Sequence, residues 1–498
     1  MENIKKLKLN SISSLLNQIV IIISGFIVPR YILLYFGSDT NGLVSSTNQF
    51  LSIISFLELG VGAVVQSSLY KPIAKNDFNQ INEILATARL FFRLLAKILV
   101  VYILILLFVF PYIVDSPYNF IDTSVLIVAM SISLFSQYYF GVVNQLLLNA
   151  DQKIYIHVTV QIITVVLNTV ATVILITQGF SIQVVRLATS AIFLLRPIYI
   201  NHYVKKTYSI DYNIKPNKNS IPQLWNGIAQ HIASVVLNST DMVLLSLFST
   251  LENVSIYAVY NMVVNGVKLM ITSLTSGMQS FFGKYIANNK IVELNGYFSK
   301  IEWLIHNLVV YIFGLAIVLI NSFVLIYTDG VTDADYYRPV FSFIITLGQG
   351  VYCLRLPYNS MVLAGGHYKQ TQTSAIIEAA INVVLSLFLV NRVGLVGVAI
   401  GTVVAMLYRT VYLAYYLSDN IINRSFTYFI KQISTDLLIF ILMLLLSNIV
   451  ENNPVDILTW ILTAVKFSII FFVISFFINY FVYKENVIYY LKDLKIVK

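Results

Sequence analysis

Apolar residues occupy the chain in long runs, and short polar breaks separate one run from the next. A helix needs about 20 apolar residues to cross the hydrocarbon core of a bilayer. Runs such as 98–114 and 467–481 are apolar on every side, which favours helices over barrel strands, whose apolar positions alternate. The pattern predicts an all-α polytopic membrane protein with about 14 transmembrane helices, at 11–36, 43–70, 90–114, 121–148, 154–177, 181–203, 223–249, 254–282, 303–327, 338–363, 370–390, 395–418, 433–450 and 456–483.

Composition points the same way. Of the 498 residues, 58% are hydrophobic and only 11% are charged, whereas a soluble domain carries about 25% charged residues. So little charge cannot cover the surface of a soluble protein of this length. The single cysteine, Cys353, excludes a disulfide framework and a cysteine-based metal site.

Motifs of common enzyme classes are missing from the sequence. It contains no P-loop, no HExxH and no GxSxG, so we predict that the protein is not an enzyme. The five histidines are too far apart to share a helical turn, and we interpret them as hydrogen-bonded packing residues. Gly394, Gly397 and Gly401 form a ridge of small residues, which predicts close packing between two helices.

Lysine and arginine fall on one side of the membrane when the breaks between predicted spans are assigned alternately to the two sides. That side holds nearly all of them, from Lys5 to Lys498, and the other holds only Arg338 and Arg392. Positive residues concentrate in cytoplasmic loops, so the alternation predicts that both termini are cytoplasmic. The net charge of +9 is thus spread along one membrane face, which argues against a nucleic-acid partner.

Short sequence matches at nearly one offset link the two halves of the chain. Residues 71–76, after the second run, match residues 284–289, after the eighth, and Lys153 matches Lys369 after the fourth and tenth runs. The matches predict two pseudo-symmetric six-helix lobes, the N-lobe over 1–210 and the C-lobe over 222–420. The segment 205–222 is interpreted as the linker between them, and 433–483 as an additional C-terminal helix pair.

Charged side chains inside the apolar runs are the candidate functional groups, because each costs at least about 2.5 kcal/mol to place near the middle of a bilayer. Cations outnumber acids, so mutual pairing cannot neutralise all of them. The excess predicts a water-filled cavity with a positive field, suited to an anion such as a phosphate or pyrophosphate. The predicted substrate-binding cations are Arg30, Lys268, Arg355, Arg196 and Arg186, and the predicted gating or ion-coupling acids are Glu58, Asp241 and Glu378.

Some of these groups also have a purely structural interpretation. Arg30 and Asp241 fall at nearly the same depth of repeat-related helices, where they form either a gate or a plain salt bridge. Glu378 is either a proton or cation site or the partner of a neighbouring arginine. Lys97 and Arg409 lie near cytoplasmic helix ends, and we interpret both as side chains that extend to the interface.

Short motifs in the first twelve spans carry a resemblance to a known family. They are Asn10-Ser11-Ile12-Ser13-Ser14, Pro29-Arg30-Tyr31, Phe56-Leu57-Glu58-Leu59-Gly60, Asn238-Ser239-Thr240-Asp241, Tyr257-Ala258-Val259-Tyr260 and the segment 394–402. Over roughly residues 1–420 the chain resembles the Wzx-type polysaccharide flippases of the multidrug/oligosaccharidyl-lipid/polysaccharide exporter superfamily. It departs at Glu58, where the family commonly has aspartate. Many members also stop at 12 helices, and the extra helix pair resembles the related lipid II flippases, which have 14.

The resemblance implies a flippase that moves undecaprenyl-pyrophosphate-linked oligosaccharide repeat units from the cytoplasmic to the outer leaflet of the bacterial inner membrane. The units would serve the assembly of a surface polysaccharide such as O-antigen or capsule. Two lobes would rock around a central cationic cavity. The implied partners are the lipid-linked oligosaccharide, the lipid bilayer and other membrane proteins of polysaccharide assembly. No cofactor is implied, and H⁺ or Na⁺ is the candidate coupling ion.

Three alternatives stay open. A lipid II flippase, which moves the peptidoglycan precursor, has the same fold and helix count. A drug/cation antiporter of the same superfamily is expected to have a more acidic cavity. A membrane glycosyltransferase or polymerase needs a sizeable outer loop with paired carboxylates or basic residues, and all predicted outer loops are short.

Overall fold

The computed structural model describes residues 2–58, 61–208, 228–275, 277–288, 290–449 and 454–493, together with positions 210, 211, 214, 216 and 217. Every regular element in these ranges is helical. Twelve helical stretches within them are long and apolar enough to cross a membrane. The chain is therefore an all-α multi-pass membrane protein, and the predicted fold class is confirmed.

The predicted spans coincide with helices of the structure. The first helical stretch, Leu9–Glu58, is 50 residues long and contains the first predicted span and the beginning of the second. Gly37 divides it, with φ 83° and ψ 177°, a backbone conformation that glycine adopts without steric cost. The predicted seventh span, 223–249, begins outside the described residues and continues as the helix Ile228–Phe248.

The chain divides into two compact units. Unit 1 contains residues 1–235 and 249–255, and unit 2 contains residues 236–248 and 256–498. The helices that begin in unit 1 are α1 (Glu2–Ser52), α2 (Val61–Lys75), α3 (Phe78–Ile113), α4 (Phe120–Ser136), α5 (Val142–Ala150), α6 (Ile154–Thr177), α7 (Ile182–Thr207), α8 (Ile228–Phe248) and α9 (Leu251–Thr275). The last two cross into unit 2. The predicted lobe limits stay a prediction, and half of the predicted linker, 205–222, lies outside the described residues.

Unit 2 continues with nine further helices. They are α10 (Met278–Ala287), α11 (Ile291–Tyr327), α12 (Pro339–Leu354), α13 (Leu356–Ala364), α14 (Tyr368–Val393), α15 (Leu395–Asn420), α16 (Thr427–Ile449), α17 (Ile457–Val482) and α18 (Lys484–Asp493). The same order of helix lengths occurs in both units. A helix of 36 residues, α3, is followed by a broken helix and two helices of 24 and 26 residues in unit 1. In unit 2, α11 has 37 residues and is followed by a broken helix and two of 26.

Polar side chains fix several helix starts outside the apolar runs. The Asp77 carboxylate accepts a hydrogen bond from the backbone N–H of Gln80 at 3.0 Å, where α3 begins. Asp456 accepts one from the backbone N–H of Thr459 at 2.7 Å and forms a reciprocal capping box at the start of α17. Such caps satisfy N–H groups that the first helical turn leaves free. They place the polar breaks of the sequence at the helix ends.

Both broken helices contain an irregular turn. In unit 1 a π-helical turn, Gln137–Gly141, joins α4 to α5. In unit 2 the helix is interrupted at Arg355, two residues before Pro357. Proline lacks the N–H that would continue the helical hydrogen bonds, and π-turns frequently mark functional sites. The break in unit 2 positions one of the candidate cations.

The C-terminal helix pair packs on the long helix α11. Val310 and Leu319 of α11 form a buried apolar cluster with Met443 of α16 and with Phe467 and Phe471 of α17. The pair is thus part of the core of unit 2.

The α14–α15 hairpin is packed through the glycine ridge. A Cβ atom added at Gly401 would lie 2.2 Å from Ser386 Oγ, and one at Gly397 would lie 2.6 Å from the backbone carbonyl of Leu389. Any side chain at these positions would force the two helices apart. The predicted close packing is confirmed at Gly397 and Gly401, whereas a Cβ at Gly394, which has φ 54°, would meet nothing within 4 Å.

Candidate binding and ion-coupling sites

Three cations and one acid meet in the interior of unit 2. Lys268 of α9 and Arg355 lie against the same aromatic ring, that of Tyr352, with Lys268 Nζ 4.0 Å and Arg355 Cζ 4.3 Å from the ring centroid. Arg355 also forms an ion pair with Glu378 of α14. Arg409 of α15 approaches the second Glu378 oxygen at 3.5 Å. We call Lys268, Arg355, Glu378 and Arg409 the cationic cluster.

The single negative charge of Glu378 does not neutralise the three cations of the cationic cluster. Glu378 is a single carboxylate among three cations, so two positive charges remain without a compensating acid in the described part of the cluster. Arg355, Glu378 and Arg409 are all buried, and Arg409 Nη1 is buried without a hydrogen-bond partner among the described residues. A buried cation is costly unless something pairs with it. An anion held near the cluster would offset this excess charge.

Arg409 corrects one sequence-based interpretation. It was expected to extend to the interface, but it is 6% exposed and contacts Glu378. The apolar run alone could not reveal this, because Glu378 lies on a different helix. Lys97 is exposed, as expected for a side chain that extends towards the interface.

Unit 2 also contains an apolar groove of about 290 Å³ whose lining comes partly from α12 and α15, which also carry Tyr352 and Arg409. Three of its lining residues are close in sequence to cluster residues: Leu354 directly precedes Arg355, Val351 lies four residues before it, and Leu407 lies two residues before Arg409. The same helices thus present cations at some positions and an apolar surface at others. The remaining lining residues are Val309, Val310, Phe313, Gly314, Ile317, Leu347, Gly350, Ile433, Asp436, Leu437 and Phe440.

Asp241 of α8 is a buried acid with neutral partners. Its carboxylate oxygens lie 2.8 and 2.7 Å from Thr402 Oγ1, and they accept hydrogen bonds from Tyr257 at 3.0 Å and from the Asn382 amide at 3.3 Å. Asn382 Oδ1 is buried with no hydrogen-bond partner in the described chain. Carboxylate, hydroxyl and amide oxygens are suitable ligands for a hard monovalent cation, and a proton on Asp241 would remove its charge directly.

Two predicted cations of unit 1 lie on α7. Arg196 lines a cavity of about 220 Å³ together with Gln137 and Gln145, at the π-helical turn. Its Nη2 donates to Thr164 at 3.2 Å, and its Nε is buried without a partner among the described residues. Arg186 likewise has a buried Nε without a partner in that part of the chain. Both remain predicted substrate-binding residues, and Arg196 is the one of the two that lines this cavity.

Arg30 and Glu58 are half-buried residues of unit 1. Glu58 accepts a hydrogen bond from Tyr138. Arg30 follows Pro29 within α1. Its predicted pairing with Asp241 stays a prediction, and so does the gating role of Glu58.

A second buried polar network lies in unit 2, and sequence patterns did not predict it. Arg424 forms a bidentate ion pair with Glu302, with distances of 2.7 and 2.8 Å. Tyr358 donates to Glu302 at 2.7 Å and contacts His306 at 2.9 Å, and His306 contacts Asp436 at 2.6 Å. These residues come from α11, α13, α16 and the connection before α16. We call them the Glu302 network.

Several solved structures are similar to this chain in fold. A structure described as the lipid II flippase MurJ in an inward closed conformation matches with a TM-score of 0.71 and 14% identity, over 96% of this chain and 99% of that one. The chain shares the fold of that structure. An inward-facing multidrug resistance MATE family transporter of the MOP superfamily matches with a TM-score of 0.62 and 14% identity, over 80% of this chain and 95% of that one.

Similarity is confined to the three-dimensional structure. A mutant of the Vibrio cholerae MATE transporter VcmN matches with a TM-score of 0.56 and 14% identity, over 85% of this chain and 98% of that one. No protein-family model and no curated protein matches the sequence. At such identities the likeness establishes the fold, and the substrate must be argued from the sites themselves.

Proposed function

We propose that the protein is a flippase for an anionic lipid-linked cargo, specifically undecaprenyl-pyrophosphate-linked oligosaccharide repeat units, which it moves from the cytoplasmic to the outer leaflet. The observation that carries the proposal is the presence, on α12 and α15 and at the end of α12, of both an uncompensated cationic cluster and the lining of an apolar groove. A molecule that suits both surfaces has a charged head and an apolar tail.

The head is an anion with several oxygen acceptors. Arginine guanidinium groups present parallel N–H donors that match phosphate oxygens, and Lys268 adds a point charge beside them. The half-buried position of Lys268 leaves it more accessible than Arg355, which is held by Glu378. We therefore assign the direct contact with the pyrophosphate to Lys268. Arg355 would contact the pyrophosphate while it stays paired with Glu378.

The tail is an acyl or polyprenyl chain. The groove is lined by aliphatic and aromatic side chains apart from Asp436, and apolar surface favours such a chain through dispersion contacts. This surface also weighs against a polysaccharide polymerase, which must hold hydrophilic chains.

Asp241 supports ion coupling. An intramembrane acid with neutral partners can lose its charge by binding H⁺ or can bind Na⁺ through the surrounding oxygens. We propose that this site links the transport cycle to one of these gradients. We also propose that the protein resides in the bacterial inner membrane with both termini in the cytoplasm, as the distribution of lysine and arginine predicts.

A lipid II flippase is the second candidate function, and one observation favours it. The MurJ structure matches 96% of this chain, including the region of the C-terminal helix pair, whereas the MATE structure covers 80%. Lipid II is also an anionic polyprenyl-linked sugar, so the cationic cluster and the groove suit both cargoes. A drug/cation antiporter is less compatible with a cluster that carries excess positive charge.

The test compares Lys268→Ala with Lys268→Arg and with Lys466→Ala in cells that depend on this protein. Lys466 is an exposed lysine of α17 and serves as the matched control. We expect Lys268→Ala to lower export of lipid-linked repeat units about 10-fold or more, because a hydrogen bond to a charged group contributes about 1.5–3 kcal/mol. Lys268→Arg and Lys466→Ala should retain export.

Cargo identity is tested separately. Purified protein in vesicles is given either undecaprenyl-pyrophosphate-linked oligosaccharide or lipid II. The fraction of the cargo that reaches the opposite leaflet is measured. Transport of the oligosaccharide alone supports the first proposal, and transport of lipid II alone replaces it with the second. Normal export by Lys268→Ala would show that the cationic cluster does not bind the cargo.

A further inference from the structure

His306 is a fully buried histidine with both ring nitrogens engaged. Nδ1 lies 2.6 Å from Asp436 Oδ2, and Nε2 lies 2.9 Å from the hydroxyl of Tyr358. That hydroxyl also lies 2.7 Å from Glu302 Oε1. All four residues are buried. The hydrogen atoms of these bonds can therefore be counted.

When Tyr358 donates to Glu302, the count requires an additional proton on His306 or on its partner Asp436. Tyr358 has one hydroxyl hydrogen, and the carboxylate of Glu302 can only accept. When Tyr358 donates to Glu302, its oxygen must accept from His306, so Nε2 carries a hydrogen. The short bond between Nδ1 and Asp436 needs a further hydrogen. The His306–Asp436 pair then holds one proton more than a neutral imidazole and a carboxylate.

The network has a second complete arrangement without that proton. If His306 Nε2 is bare, the hydroxyl of Tyr358 turns from Glu302 to Nε2, and Nδ1 still donates to Asp436. Glu302 stays satisfied because Arg424 donates to both of its oxygens. In both arrangements His306, Tyr358 and Glu302 each keep their hydrogen-bond partners, and an unpaired buried group at any of them would be costly. Proton gain and loss thus need only the rotation of one hydroxyl.

The ion pairs around His306 leave Asp436 without an arginine or lysine partner among the described residues. Arg424 and Glu302 neutralise each other, which leaves Asp436 as the acid that requires a cation. Gln432, also on α16, donates to Asp436 at 3.0 Å and is neutral.

Two further side chains complete the surroundings. Burial raises the pKa of Tyr483, which follows α17, to about 12, so this phenol stays neutral. Lys431 Nζ lies over the Tyr483 ring at 4.8 Å. Asp436 also borders the apolar groove, where an uncompensated carboxylate is unfavourable.

We propose that His306 and Asp436 form a proton-binding site, and that Tyr358 switches its hydroxyl between Glu302 and His306 as the proton binds and leaves. The site is separate from Asp241, and its existence does not depend on the identity of the cargo. Its residues come from α11, α13 and α16, so binding or loss of one proton changes the charge where α11 and α13 contact the C-terminal helix pair.

The test uses the full-length protein labelled with ¹⁵N-histidine in lipid vesicles. Nitrogen resonances distinguish a protonated Nε2 from a bare one. We expect His306 Nε2 to carry a hydrogen in acidic buffer and to lose it as the pH is raised. An Nε2 that stays bare in every buffer would overturn the proposal.

Assignment and the role of the carboxylate need variants. His306→Gln identifies the resonance, and single replacement of the other four histidines identifies it by elimination if that variant does not fold. Asp436→Asn should weaken proton binding at His306 at least about tenfold, because a nearby opposite charge favours the charged form. His367, whose ring contacts Tyr416, is the internal control and should not change. An unaltered titration of His306 in Asp436→Asn contradicts the proposal, and the wild-type titration decides it if this variant is not recovered.

Discussion

Arg355 and Glu378 form a buried ion pair at the break between α12 and α13. The break places a cation inside the apolar run, and the acid on α14 holds it in position. Arg409 shares that acid at 3.5 Å. Arg355 and Arg409 therefore share one compensating carboxylate, while Lys268 lies over the aromatic ring of Tyr352.

Replacement of Glu378 by glutamine should destabilise unit 2. Breaking a buried pair from one side leaves an uncompensated charge, at a cost of about 3–5 kcal/mol, and here two arginines lose their acid. We expect a lower melting temperature of the purified protein and less protein in the membrane. Glu293→Gln is the control, since Glu293 forms an exposed pair with Lys290. Equal melting temperatures of Glu378→Gln and the wild type would show that the pair is not needed for folding.

Asp241→Asn should separate ion coupling from folding. Asparagine keeps hydrogen-bonding capacity towards Thr402 and Tyr257 but cannot bind a proton and removes the negative charge. We expect a folded protein whose transport in vesicles no longer responds to a proton or sodium gradient. Asp335→Asn is the control, because Asp335 is exposed and pairs with Arg338 outside the apolar runs. Transport by Asp241→Asn that still follows the gradient would exclude this site from coupling.

Gly401→Ala and Gly296→Ala should change stability in opposite directions. At Gly401 the new methyl group would collide with Ser386 across the α14–α15 contact, and overpacking costs about 1–3 kcal/mol. Nothing lies within 4 Å of a Cβ at Gly296 in α11, so alanine should stabilise by about 0.4–1 kcal/mol. Melting curves of the two variants measure the difference. A Gly401→Ala variant as stable as the wild type would show that the helices can move apart freely.

Asn479→Leu should loosen the C-terminal helix pair. Trp303 of α11 donates to Asn479 Oδ1 of α17 at 2.8 Å in a buried position. Leucine would leave that N–H unpaired, at a cost of about 1–3 kcal/mol. We expect a lower melting temperature and faster proteolysis before α16. Ser475→Ala, one turn earlier on α17, is the control, and identical behaviour of both variants would contradict an anchoring role for the bond.

The helical membrane fold was predictable because it depends on local properties of the chain. Apolar runs of sufficient length must form helices in lipid, since backbone groups find no other partners there. Polar breaks such as those at Asp77 and Asp456 are helix caps, whose geometry involves only neighbouring residues. The glycine ridge at Gly397 and Gly401 was predictable for the same reason.

Pairing inside the membrane was not predictable from the sequence. Hydropathy identified Arg355, Glu378 and Lys268 as charges in apolar runs, but it could not show that Arg355 is held by Glu378. Arg409 was misinterpreted because its distance from a helix end says nothing about the acid on the neighbouring helix.

The sequence alone determined that the chain crosses a membrane many times and that unusual charges lie within its spans. Only the tertiary structure decided which charges are paired, which cations remain in excess, and which histidine contacts Asp436 directly and Glu302 through Tyr358. The physical reason is one of range. Helix formation in lipid is decided by neighbours along the chain, whereas the energy of a buried charge is decided by atoms a few ångströms away on helices distant in sequence.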